Sequence, residues 1–163
     1  MKESRVSIVM SVYNGAEYLE QALEGIAAQT YQNWECIIVD DCSTDDTPAI
    51  LTAFRKRDGR FRILTNEVNR KLASSLNRAV KVAAGEYILR MDADDICRKD
   101  RIAKQVEFME KHPELSLSCC KFFVWHQEQI VPACLQRRGG WKDVEALFLF
   151  FNPILHPGVI GRR

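Results

Sequence analysis

The apolar positions of this chain follow two alternating rhythms. Short β-rich runs at 6–12, 34–39, 61–64 and 87–91 have the length and composition of buried strands. Between them the spacing becomes helical. Leu19, Ala22, Leu23 and Ile26 fall at i, i+3, i+4 and i+7, one stripe of an amphipathic helix that follows the Tyr13-Asn14-Gly15 break. After the polar loop 40–46, Thr47 supplies an expected N-cap and Pro48 a first-turn proline for a helix through Phe54. Leu72, Leu76, Ala79, Val80 and Ala83 mark a third helix that Gly85 should stop, and Ile102, Val106 and Met109 a fourth, closed by Pro113. Farther on, 115–125 is expected to be one long strand, and Val144, Leu147, Phe148 and Phe151 a last helix.

Strand and helix alternate, so the expected class is α/β, a mainly parallel sheet with right-handed crossovers and helices on its faces. The whole of 1–163 reads as a single domain, with no internal repeat or low-complexity linker to divide it. In such sheets ligands collect beyond the carboxyl ends of the strands. Both acidic clusters, Asp40-Asp41 and Asp92 to Asp95, stand at such ends.

Composition narrows the field mainly by exclusion. Twenty-three Lys and Arg oppose 22 Asp and Glu, a formal net charge of +1, so no global field draws the chain to nucleic acid or to an anionic membrane. The longest late apolar run, from Ala146 to Phe151, is too short for a bilayer, which needs about 20 residues. A soluble, cytoplasmic protein is expected, with peripheral membrane association as the closest approach to a lipid surface. The six cysteines form no C-x-x-C pair and several lie inside apolar runs, which favours reduced thiols packed as small hydrophobes.

The chemistry concentrates at Asp92 and Asp94. If the extended geometry of the strand persists, two residues' separation turns both carboxylates to one face. That arrangement suits a hard divalent cation, Mn²⁺ or Mg²⁺, whose remaining positions go to water and to substrate phosphates. The competing reading is an acidic turn ahead of a helix, capped by Asp95 or Asp100.

Sequence context favours the metal. Val6-Ser-Ile-Val-Met-Ser-Val-Tyr-Asn14, Gln29-Thr-Tyr-Gln-Asn-Trp-Glu35, Ile37-Ile-Val-Asp-Asp41, Gly85-Glu-Tyr-Ile88 and Met91-Asp-Ala-Asp-Asp95 follow one another in an order that resembles the inverting family 2 glycosyltransferases of the GT-A fold. The resemblance implies a nucleotide-sugar-binding core at 1–112 and the start of the acceptor-side region at 113–163. It implies a nucleoside-diphosphate-sugar donor, uridine-based, and a saccharide or lipid-linked acceptor in polysaccharide or cell-surface glycan biosynthesis. Ser11 and Tyr13 would line the nucleoside pocket, Asp41 would read the base, Lys71 would stand near the diphosphate, and Asp92 and Asp94 would hold the cation. Asp41 has a plainer alternative as a loop cap for Ser43 or Thr44, and Lys71 as a solvated charge opening a helix.

Two departures matter. Asn69-Arg-Lys-Leu72 stands where many relatives carry Leu-Gly, so the donor loop is expected to differ in shape. The general base that deprotonates the acceptor has no match here and is expected beyond Arg163, as in a shortened chain; His156, in Asn152-Pro-Ile-Leu-His-Pro157, is the one late residue with a candidate role. Two functions follow: a metal-assisted inverting glycosyltransferase, or a donor-binding fragment or interaction module without the base, self-associating through apolar surface near Phe148, Phe150 and Phe151. Other classes fail on placement. A receiver domain wants its acidic pair on strand one, a haloacid-dehalogenase-type phosphatase wants Asp-x-Asp on the opening strand, and a dinucleotide oxidoreductase wants a glycine-rich first turn.

Overall fold

A computed structural model describes residues 4–120, 123–126, 129–132 and 156–163. The strands β1 (Val6–Val12), β2 (Trp34–Asp40), β3 (Phe61–Thr65) and β4 (Tyr87–Arg90) alternate with the helices α1 (Ala16–Ala27), α2 (Thr47–Arg57) and α3 (Lys71–Val82). α4 (Arg101–Lys111) follows, then β5 (Leu117–Cys119), a hairpin of β6 (Phe123–His126) and β7 (Gln129–Pro132), and β8 (Val159–Arg162). The main sheet has the order β3-β2-β1-β4-β8-β5. Its first four strands are parallel, as the alternating pattern requires; β8 runs antiparallel to both β4 and β5, so the whole sheet is mixed.

The crossovers distribute the helices over both faces. Stepping from β1 to β2 to β3 keeps α1 and α2 on one side, where Leu19, Leu23, Ile26, Leu51 and Phe54 pack on Ile8, Met10 and Ile38, with Ile102, Val106 and Met109 of α4 in the same core. The return from β3 to β4 carries α3 across the opposite face, against Val9, Ile37 and Val39. β1 and β2 are therefore covered on both sides and read as unbroken apolar runs.

Several local expectations are corrected. Of the expected α3 stripe, Ala79 and Ala83 are buried and Leu76 packs against them, but Leu72 and Val80 are half-exposed and Ser75 takes a place on the buried side, a small-residue face that lets the helix lie close to the sheet. Thr47 lies inside α2, and its hydroxyl accepts the Gly15 N–H at 2.9 Å. Asp45 does the capping: its two carboxylate oxygens accept the N–H groups of Ala16 and Thr47, the first residues of α1 and α2. α3 ends at Val82, before Gly85, whose absent side chain serves packing instead: a Cβ there would meet Ser7 N at 2.5 Å and Arg5 O at 2.8 Å. The long strand expected over 115–125 is split between two sheets, breaking at Cys120, whose N–H turns to Gly158 O at 3.0 Å. The helix expected around Val144 to Phe151, and the apolar surface attributed to Phe148, Phe150 and Phe151, lie outside the described residues.

At the amino ends of the strands a buried carboxylate ties the sheet together. Glu35 accepts from the Ser7 hydroxyl at 2.7 Å and the Ala84 N–H at 2.9 Å, and pairs with Arg5 and Arg62. Burial pushes its carboxyl up, but these partners prevail and hold it below the ordinary glutamate range. Among the described residues no helix is long and apolar enough to cross a membrane.

Candidate functional site

The opposite ends of the strands, the carboxyl ends, carry the site. Ser11 and Tyr13 come from the end of β1, Asp41 from the residue after β2, and Lys71 from the start of α3. With Asn69 and Leu72 they line one open cleft of about 240 Å³. That is below the range of about 300–1,000 Å³ usual for whole ligands, so the cleft suits part of one. Tyr13 and Leu72, each about half exposed at 52% and 50%, give it apolar walls.

Asp41 is the polar centre of this cleft and is almost wholly covered. Its Oδ1 accepts the Asn66 side-chain amide at 2.6 Å, the Arg70 N–H at 2.8 Å and the Ser75 hydroxyl at 3.0 Å. Its Oδ2 accepts the Lys71 N–H at 2.8 Å. Burial raises the carboxyl, yet the Arg70, Asn66, Ser75 and Lys71 donors outweigh it and leave the group below its ordinary value, an ionised, acceptor-only carboxylate. The alternative of a cap for Ser43 or Thr44 falls to its neighbour: Asp40 Oδ1 accepts the Ser43 N–H, and Asn14 Oδ1 that of Thr44. Asn66, Ser75 and Asn69 escaped the sequence reading because nothing in periodicity marks a polar residue that turns inward.

Lys71 occupies a left-handed conformation, φ 67°, as do Asn14 and Cys42 at 50° and 68°. An unbranched side chain there carries a steric cost that glycine would avoid. The sequence departure at Asn69-Arg-Lys-Leu72 therefore coincides with the one backbone position in that loop where Lys is strained.

The acidic cluster departs from its expected geometry. β4 ends at Arg90, where its pairing with Val9 of β1 ends, and Asp92 to Asp95 form a turn closed by Asp95 N–H to Asp92 O at 3.4 Å. Strand alternation therefore does not align Asp92 and Asp94; both sit in a turn, where the charge of Asp94 still acts on Asp92. Burial raises the Asp92 carboxyl, Arg90 pulls it down through a contact at 2.8 Å, and the charge of Asp94 pushes it up again, for a net rise. Asp95 is raised by burial and then by Asp92 and Asp94. Mutual repulsion of hard oxygen donors is what a divalent cation relieves. Among the described residues no three acidic, His or Cys groups converge as a complete metal cage. The donor set fits an ion that draws its other ligands from water and phosphate, and Arg90 Nε, buried without a protein acceptor, adds an unused donor beside it.

His156 is exposed at the head of a short 3₁₀ turn, His156–Gly158, that leads into β8. Cys36, Cys42, Cys97 and Cys120 are free thiols, and Cys36 is a core residue whose thiol burial pushes up.

The four parallel strands β3-β2-β1-β4, with Asp41 after β2 and Asp92 to Asp95 after β4 on either side of the end of β1, make an α/β domain of the GT-A kind. The chain matches the family model "Glycosyl transferase family 2" over residues 7–133 and belongs to that family. The Bacillus subtilis (strain 168) protein "Putative teichuronic acid biosynthesis glycosyltransferase TuaG" is 40% identical over 104 residues, 64% of this chain and 41% of that protein. S. aureus TarS (residues 1–349) in complex with UDP has 28% identity and a TM-score of 0.64 over 69% of this chain and 34% of that one. Its UDP-GlcNAc complex superimposes over 97% of this chain and 45% of that one, with a TM-score of 0.80 and 24% identity, a likeness of fold. The mannosyltransferase PcManGT of Pyrobaculum calidifontis, in complex with GDP-Man and Mn²⁺, has 28% identity and a TM-score of 0.68 over 75% of this chain and 37% of that one. The chain thus spans about half, or less, of the length of each of these proteins.

Proposed function

We propose that this chain is the donor-binding part of a glycosyltransferase that takes a sugar from a nucleoside diphosphate, uridine-based, and passes it with inversion to an acceptor hydroxyl in cell-surface glycan biosynthesis. The observation that carries the reading is the meeting of Ser11, Tyr13, Asp41 and Lys71 in one cleft, with the Asp92–Asp94 turn following β4, the strand paired to the other side of β1. Tyr13 offers a face for a base to stack on. Asp41 Oδ2 has one protein donor and a remaining lone pair, which can accept the N3–H of uracil; cytosine presents a bare nitrogen there and is disfavoured. Lys71 brings a cation to the same cleft for the diphosphate.

Asp92 and Asp94 would hold a divalent cation, Mn²⁺ or Mg²⁺. When bound, such an ion neutralises charge that develops on the departing diphosphate. The protein's own part is to present two carboxylates from a turn anchored at β4, with Arg90 balancing the charge of Asp92 until the ion arrives. Support for the nucleotide comes from the relatives that bind UDP, UDP-GlcNAc and GDP-Man, and for the ion from the one that binds Mn²⁺. The base for the acceptor hydroxyl has no candidate among the family-matched positions.

Calorimetric titration of UDP with and without Mn²⁺ tests the reading. The metal should strengthen binding to the parent chain, and Asp94→Ala should abolish that gain. Equal affinities for parent and variant under both conditions would remove the acidic turn from the site.

A further inference from the structure

The segment that carries the acidic turn runs back along α1 before α4 begins. At its head Ala93 lies beside Gly15, whose added Cβ would stand 4.0 Å from that of Ala93. Farther along the helix Gly25 leaves room for Cys97, with its backbone 3.5 to 3.6 Å from where a Cβ would be. At its tail the Thr30 N–H and hydroxyl both donate to Lys99 O, at 2.8 and 3.2 Å. Gln29, only 1% exposed, stands among these contacts.

Every polar atom of the Gln29 side chain is used. Nε2 donates to Arg98 O at 2.7 Å and Gly25 O at 3.0 Å, and lies 3.2 Å from Cys97 Sγ. Oε1 accepts the Ile102 N–H at 3.0 Å, an amide in the first turn of α4. The residue at the head of that helix, Asp100, is engaged elsewhere, with Arg98 and Lys104. A residue from α1's end therefore caps α4, a task that sequence alone assigns to Asp95 or Asp100.

The acidic turn is held upstream by Met91 N–H to Val9 O and downstream by this carboxamide. The geometry points to Gln29 as a positioning residue for the divalent-cation site: it fixes where 97–102 lies on α1 and thereby where Asp92 and Asp94 stand for an ion and its diphosphate. The inference rests on the metal-holding role proposed above for those two carboxylates. Gln29 is not among the residues lining the nucleoside cleft, so its effect is confined to the metal-dependent part of binding.

The test is Gln29→Met, close in length and unable to make these bonds, titrated with UDP by calorimetry in Mn²⁺ and in EDTA. The gain in affinity from Mn²⁺ should fall about tenfold, the scale seen when outer partners of metal ligands are removed, with the EDTA affinity unchanged within about twofold. No fall, or an equal fall under both conditions, overturns the proposal, because a purely structural residue would act on both alike. Should Gln29→Met not fold, Thr30→Val, which keeps the backbone bond to Lys99, takes its place: a smaller fall in the Mn²⁺ gain supports the proposal and an unchanged gain overturns it. Asp94→Ala separates the two layers. If it keeps the full Mn²⁺ gain, the metal reading fails and this proposal with it; if it loses the gain while folded Gln29→Met keeps it, only the role of Gln29 falls.

Discussion

The backbone N–H of Lys71 donates to Asp41 Oδ2 at 2.8 Å while Lys71 itself holds a left-handed φ of 67°. The carboxylate thus fixes the loop in a conformation that lysine alone would resist, and both residues line the same cleft. With the diphosphate contact proposed for Lys71, stability and binding would be set against each other at this position.

Lys71→Gly should therefore move the two in opposite directions. Relief of the left-handed strain should raise stability by about 1 kcal/mol, net of glycine's extra chain entropy. Loss of the ammonium should weaken UDP binding by about tenfold, the scale of one charge-assisted contact of about 1.5 kcal/mol. Urea unfolding and calorimetry read the two effects separately. Lys71→Met, which keeps the strain and loses the charge, should show only the weaker binding.

Asp41 should also be a source of pH-dependent stability. Its folded-state carboxyl lies below the ordinary 3.8, so its contribution is complete above that value and is lost as pH falls through the lower folded value. Asp41→Asn, with one acceptor oxygen in place of two, should cost about 1–3 kcal/mol at neutral pH by leaving a buried donor unpaired. Measured by urea unfolding, the difference between parent and variant should shrink below about pH 4, as the carboxylate it depends on is neutralised. A difference that stays constant down to acid unfolding would contradict this.

Gly85→Ala should be among the most damaging single changes remote from the cleft. The new methyl would need to occupy space 2.5 Å from Ser7 N and 2.8 Å from Ser7 Oγ, in β1, and 2.8 Å from Arg5 O, just before it. Backbone cannot yield as a flexible side chain can, so a loss of about 3 kcal/mol or more is expected by thermal or urea unfolding. UDP affinity of the remaining folded protein should be nearly unchanged, since Gly85 lies at the other end of the strands.

What the sequence discloses and what it hides divide along physical lines. β1 to β4 and the three helices between them are legible because burial on both sheet faces or along one helical stripe imprints a period on the chain. Asp41 stands where the strand-end rule expects a ligand-facing group, whereas Ser11, Tyr13 and Lys71 are implied by the family resemblance; all four line one cleft. Less legible are the features that depend on partners far away in sequence. Asp45 serves two helices at once, Gln29 caps a helix from another element, and β8 pairs antiparallel with strands from much earlier in the chain. Ser75, a small polar residue on the buried side of α3, is likewise invisible to a search for apolar side chains. The Asp92–Asp94 spacing suggests carboxylates aligned by strand alternation, whereas both lie in a turn beyond the end of β4.

The seat of β8 between β4 and β5 also has a bearing on how the chain emerges from a ribosome. β1 to β4 leave the tunnel in an order that lets them pair at once, but β5 arrives before the only main-sheet neighbour it has among the described strands. Until 159–162 are made, the open side of β4, with the unpaired amides and carbonyls around Tyr87 to Leu89, is presented to solvent. At about 5 to 20 residues per second that interval lasts several seconds, long enough for an exposed strand edge to recruit another nascent chain. Shielding of this edge during synthesis would prevent such pairing.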